Sequence, residues 1–219
     1  MRLELGAPVR CTNEELGELA DVVIDPVTKR VTHLVVQPRH EHGLARLVPV
    51  ELVEGGGEGQ PAISLNCTVE EVRRFAPVQE FAYLRLGEFP VDDPDWDVGV
   101  QDVLAMPYYE SSLGPGNYAG DTGIIYDRVP KGEVEIRRSS AVMSADGHHL
   151  GHIDGFLVDG EQITHIVLEH GHLWGRRDVT VPIGAVTKVE TDAVTLGLSK
   201  DEVGALDGVS MRRWHGGAS

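Results

Sequence analysis

Cysteine is nearly absent from this 219-residue chain. Cys11 and Cys67 are the two it has. That excludes a disulfide-built scaffold and a cysteine-rich zinc site. In a reducing compartment both are expected to be free thiols that fill core space, while export would leave open a disulfide between them. Aromatic residues make up 5%. No run of about 18 apolar residues occurs, so no membrane-spanning helix and no membrane insertion are expected. The opening MRLELGAPVR lacks the apolar stretch of a signal peptide, which points to a cytoplasmic protein. Basic residues are scarce too: 19 Lys and Arg stand against 35 Asp and Glu, a net charge of −16. Direct binding to nucleic acid, which demands a basic face, is not expected.

What the chain does have is a repeat, and a repeat sets the architecture. LGELADVVIDPVTKRVTHLVV, from Leu16 to Val36, returns as LGHIDGFLVDGEQITHIVL, from Leu150 to Leu168. Gly17 aligns with Gly151, Asp25 with Asp159, His33 with His165 and Pro49 with Pro182. The offset drifts between 131 and 134, and only where turns differ in length, as loops allow. The organisation expected is domain 1 at 1–76, a connector at 77–133, domain 2 at 134–208 and a tail at 209–219.

Within each copy the pattern is that of strands. VTHLVV and ITHIVL are β-branched and short, and Asp25-Pro26 and Asp159-Gly160 sit where hairpin turns belong. Thr68-x-x-Glu71 and Ser199-x-x-Glu202 are capping boxes, each opening a short helix. About five strands and one helix per copy imply an all-β fold: two small barrels, since closure removes exposed edges.

The connector resembles neither copy. It holds six of the twelve prolines, all five tyrosines and eight of the twelve aromatic residues, with 11 acids and three bases. A flexible linker would be Gly- and Ser-rich. This composition suggests an ordered, mostly irregular strap whose rings pack on the barrels. The sharper reading makes part of Met106–Tyr118 a partner surface, because Tyr and Trp are favoured anchors. The candidate partner-binding residues are Tyr108, Tyr109 and Tyr118. Trp174, near a loop tip of copy two, joins them, either as a lid on its own barrel or as an anchor. Asp92, Asp93, Asp95 and Asp97 lack the glycine and terminal Glu of an EF-hand loop and read as a solvated acidic stretch.

Histidine is the tempting catalytic or metal-binding residue. His148, His149, His152, His165, His170 and His172 lie within 25 residues. No cysteine joins them and no HExxH spacing occurs. His33 and His165, preserved in both copies, read as structural, each with its ring bonded to a neighbouring loop. There is no G-x-S-x-G elbow, Walker loop or G-x-G-x-x-G. The expectation is a non-enzyme with no catalytic residues, no metal and no cofactor.

The paired motifs, G-x-x-x-[DG]-x-x-x-D followed by T-H-[LI]-V and then VPV or VPI, resemble the PRC-barrel family. That β-barrel occurs in the photosynthetic reaction centre H subunit and in ribosome maturation factors of the RimM type. Copy two matches better: Ser144-Ala145-Asp146-Gly147 is the expected opening hairpin and Leu150-Gly151-His152-Ile153 the next strand. Copy one has Thr12-Asn13-Glu14-Glu15 at the opening. The resemblance implies a binding module, hence a protein-binding adaptor or assembly scaffold with a protein partner of unknown identity. The alternatives are a ribosome-assembly or RNA-processing accessory factor acting through a ribosomal protein, and a His-based binder of metal or a small molecule. Self-association into a homo-oligomer stays open.

Overall fold

The computed structural model describes residues 1–39, 45–54, 62–84, 95–99, 122–170, 177–190 and 192–206. Copy one contains β1 (Arg2–Glu4), β2 (Pro8–Arg10), β3 (Glu15–Asp25), β4 (Arg30–Pro38), β5 (Arg46–Pro49), β6 (Ile63–Ser64) and α1 (Val69–Val72). The connector adds β7 (Gln79–Leu84), β8 (Trp96–Gly99) and β9 (Thr122–Pro130). Copy two contains β10 (Val134–Ile136), β11 (Ala141–Met143), β12 (His149–Asp159), β13 (Gln162–His170), β14 (Arg177–Pro182), β15 (Val186–Glu190), β16 (Ala193–Leu196) and α2 (Lys200–Gly204). The class is all-β, as the strand patterning implies.

Each copy is built around one long hairpin, β3–β4 or β12–β13. The irregularities of that hairpin repeat as faithfully as its strands. The β3–β4 register shifts between Leu19 and Asp21 and again between Val23 and Ile24. The β12–β13 register shifts between Ile153 and Gly155 and between Leu157 and Val158, at aligned positions. Bulges bend a strand and sharpen its twist, so paired bulges curl both sheets alike. The repeated glycine is also explained. A Cβ on Gly17 would lie 1.9 Å from Gln37 O, and one on Gly151 2.1 Å from Glu169 O. Backbone occupies the space that any other residue needs.

Both capping boxes form. The Thr68 Oγ1 accepts from Glu71 N–H and the Glu71 carboxylate accepts from Thr68 N–H at 2.8 Å; Ser199 and Glu202 do the same. Pro49 and Pro182 each lead into one turn of 3-10 helix. The opening of copy one, which lacks the Asp-Gly turn, keeps its purpose. Asn13 Oδ1 accepts from Val69 N–H at the start of α1, as Asp146 Oδ1 accepts from Lys200 N–H at the start of α2.

The copies are joined more intimately than tandem units connected end to end. β1 of copy one pairs with β12 of copy two, with Leu3 opposite Phe156. β10 of copy two pairs with β3 of copy one, with Ile136 opposite Val22. Leu3 aligns with Ile136 and Val22 with Phe156, so the exchange is reciprocal about a pseudo-twofold axis. The hairpin tips meet on the same axis: Val31 N–H donates to Glu161 O, Gln162 Nε2 donates to Thr28 O and Lys29 O, and Arg30 pairs with Glu161. Thirteen strands thus form one sheet over one continuous core.

The connector is more regular within the described residues than its prolines suggest. β7, β9 and β8 form a three-stranded antiparallel sheet, and Pro130 sits at the end of β9, where a missing N–H costs little. Among the described residues no helix is long and apolar enough to cross a membrane.

Leu3 and Phe156 are both fully buried. The substitution Leu3→Ala is expected to cost about 2–5 kcal/mol in urea unfolding, the usual range for a buried leucine truncation. Gly17→Ala is expected to cost more than about 2 kcal/mol by the same measurement, although it adds only a methyl group, because the backbone must move to admit it.

Candidate functional site

The paired signature residues form a structural device. In copy two, Thr164 Oγ1 donates to Leu157 O at 3.0 Å, across the hairpin, and lies 3.1 Å from His165 Nδ1. With its own proton committed to the carbonyl, the hydroxyl accepts from the ring Nδ1–H. Copy one repeats the Thr32–His33 contact at 3.1 Å. There Thr32 Oγ1 is 2.6 Å from Glu133 Oε2, and His33 Nδ1 is 3.5 Å from the same carboxylate. Each ring contacts its neighbouring threonine, and the His33 ring also faces Glu133, in the loop between β9 and β10. His33 stands opposite Pro49, and His165 opposite Pro182.

The connector sheet seats on copy one. Val78, Trp96 and Val129 pack against Val23, Val35, Ala45 and Leu47, a second apolar cluster on the outer face of the β3–β4–β5 sheet. Backbone bonds carry the chain there: Leu47 N–H donates to Ala76 O, Val78 N–H to Ala45 O, and Arg128 N–H to Val78 O. The Arg128 guanidinium lies over the Trp96 ring, 4.5 Å from its centre, a cation–π contact. Asp97 Oδ2 accepts from Gly132 N–H at 2.6 Å, so this member of the acidic stretch fastens a turn. Asp92 and Asp93 lie outside the described residues.

A cleft of about 530 Å³ opens beside the crossing from β10 to β11. Arg137 and Arg138 line it together with Asp21, Asp154 and Glu169. Asp154 is buried. Burial, followed by the charge of Asp154, pushes the Glu4 carboxyl above its ordinary pKa. Arg138 N–H donates to Asp21 Oδ1 at 3.0 Å, and Arg137 Nε pairs with the buried Glu135 at 3.1 Å. The cleft is one-sided. Across the pseudo-twofold axis Asp154 aligns with Ala20, Asp21 with Gly155 and Arg138 with Leu5. The Arg137-Arg138 pair alone does not mark this site in the sequence. The signal available in the sequence was the mismatch between aligned positions.

The histidines of copy two are distributed among separate tasks. His152 Nδ1 lies 3.1 Å from Ser139 O, His149 packs edge-on to His152, and His148 pairs with Asp146 at 3.7 Å. Among the described residues no three His, Cys, Asp or Glu side chains converge as a metal ion requires. Tyr108, Tyr109, Tyr118 and Trp174 lie outside the described residues, as does His172.

Comparison with known families places residues 138–203 in agreement with the family model of the PRC-barrel domain. A search of curated proteins finds no match.

Four exposed carboxylates hold the turns and caps. Asp25 is held below the ordinary carboxylate range first by the Thr28 hydroxyl, Glu71 by the Thr68 amide, Asp146 by the Ser144 hydroxyl and Glu202 by the Ser199 amide. A carboxylate whose pKa is lower folded than unfolded stabilises the fold above the unfolded value, and that contribution is lost as pH falls through the folded value. Glu4, shifted upward, works in the opposite sense. The urea midpoint is expected to fall as pH is lowered from about 6 to about 3. Replacing Asp25 and Glu71 with Asn and Gln should lower the midpoint at neutral pH and flatten the profile.

Proposed function

We propose, from the premise that residues 138–203 are a PRC-barrel domain, that the chain is a non-enzymatic protein-binding adaptor or assembly scaffold. A PRC-barrel domain points in general to protein interaction or assembly. The observation that carries the finer reading is the connector sheet seated on the outer face of copy one. It fastens an acidic, tyrosine-rich segment to one half of a pseudo-symmetric frame. The frame offers the same backbone twice, and the connector makes the two faces different. A partner that reads this difference meets net charge −8 along residues 77–133, so its contact surface is expected to be basic. Tyr108, Tyr109 and Tyr118 supply the rigid aromatic anchors that such contacts favour. Trp174 supplies another on copy two.

The test is affinity capture with the intact chain and with a variant carrying Tyr108→Ser, Tyr109→Ser and Tyr118→Ser. The intact chain is expected to retain a stoichiometric basic protein that the variant loses by at least tenfold in affinity, about 1.4 kcal/mol. Equal retention by both overturns the role of the connector. Recovery of a ribosomal protein would narrow the reading to ribosome assembly.

A further inference from the structure

Cys11 and Cys67 have no thiol counterparts in copy two, where the aligned positions are Ser144 and Leu198. Cys11 follows β2 and Cys67 follows β6, and these two strands pair in parallel, Val9 with Ile63 and Arg10 with Ser64. Beyond the ladder, Leu65 N–H donates to Arg10 O at 2.8 Å and Thr12 N–H to Cys67 O at 3.0 Å. The Thr12 hydroxyl donates to the same oxygen at 3.2 Å. These bonds hold the segments that carry the two cysteines side by side. Cys67 is buried in the main core; Cys11 packs against that core and keeps a partly exposed edge. Both are free thiols in this structure.

We propose that Cys11 and Cys67 are a redox-controlled staple, oxidised by low-molecular-weight disulfides to an intramolecular Cys11–Cys67 disulfide and opened again by thiols. One cysteine thiolate attacks a sulfur of the small disulfide, forming a mixed disulfide and expelling one small thiolate. The second cysteine thiolate attacks the protein sulfur of that mixed disulfide. The Sγ–Sγ bond forms and the second small thiolate leaves. The two cysteine protons pass through solvent to the expelled thiolates, and two electrons pass to the small disulfide.

The bond would tie β2 to the residue before the Thr68 cap of α1, closing the chain from 11 to 67 around the first hairpin and β5. Closing so long a segment restricts the unfolded chain and stabilises the fold. The staple is slow by construction. Burial, with the adjoining Cys67 thiol next in weight, pushes Cys11 up to about 12, and burial raises Cys67 as well. Thiolate is scarce at neutral pH, and below those values its fraction grows tenfold with each pH unit.

The test uses the full chain with excess oxidised glutathione at about pH 7, 8 and 9, followed by thiol counting, intact mass and peptide mapping. Both thiols should disappear together, the mass should fall by two hydrogen atoms, and the Cys11–Cys67 peptide pair should appear. The rate should rise about tenfold per pH unit. The thermal midpoint should rise on the order of 10 °C and return with dithiothreitol. A persistent glutathione adduct, a disulfide between chains, two surviving thiols at the highest pH, or an unchanged midpoint would overturn the proposal.

Discussion

Leu3 lies against Phe156 and Ile136 lies against Val22, and on these two pairings the rest of the molecule depends. A single copy of the repeat is about 70 residues, a size at which one core is marginal. Each copy meets that constraint by lending its first strand to the other. The β1 strand pairs beside Phe156, while β10 pairs beside Val22, and the buried residues of both copies merge into one cluster. The meeting of hairpin tips at Arg30 and Gln162 extends the sheet across the axis, so that few strand edges remain to be protected. The fold is a covalently linked pseudo-dimer whose two halves share their hydrophobic burial.

Shared burial explains why the repeat preserves what it does. The signature residues are those that shape the long hairpin: Gly17 and Gly151 admit a backbone carbonyl where a side chain cannot fit, Asp25 fastens a turn through Val27 and Thr28, and the Thr-His pairs brace the strands from the side. Departures from the repeat fall where the two halves meet different surroundings. Ala20 and Gly155 lie where their counterparts are Asp154 and Asp21, and a charged cleft appears on one side of the axis. Cys11 and Cys67 form a thiol pair in one copy alone. The connector covers one outer face with Val78, Trp96 and Val129. A symmetric frame thereby acquires two distinct sides, the asymmetry on which the proposed adaptor role rests.

The fold class, the hairpins, both capping boxes and the PRC-barrel resemblance were legible because they rest on short-range patterns: β-branched runs, Asp-Pro and Asp-Gly turns, and Ser/Thr-x-x-Glu spacing. The strand exchange was not. RLE and VEI are three-residue strands, and nothing in so short a segment says whether its partner lies in its own copy or the other. The β7–β9 sheet was hidden by the proline content of the connector, of which Pro130 only closes β9. The cleft was hidden because the exchange itself brings Asp21 to Arg137, Arg138 and Asp154, from more than a hundred residues away. The Asn13 contact with α1 was missed for a milder reason: it does the work of Asp146 without the glycine that marks a turn.

Scanning calorimetry of the reduced, full-length chain tests the shared core most directly. If each copy's first strand completes the other, neither half can unfold alone, and both must melt in a single transition whose calorimetric and van't Hoff enthalpies agree. Two resolved transitions, each with the enthalpy of about 70–80 residues, would show that the copies are separate barrels and contradict the account.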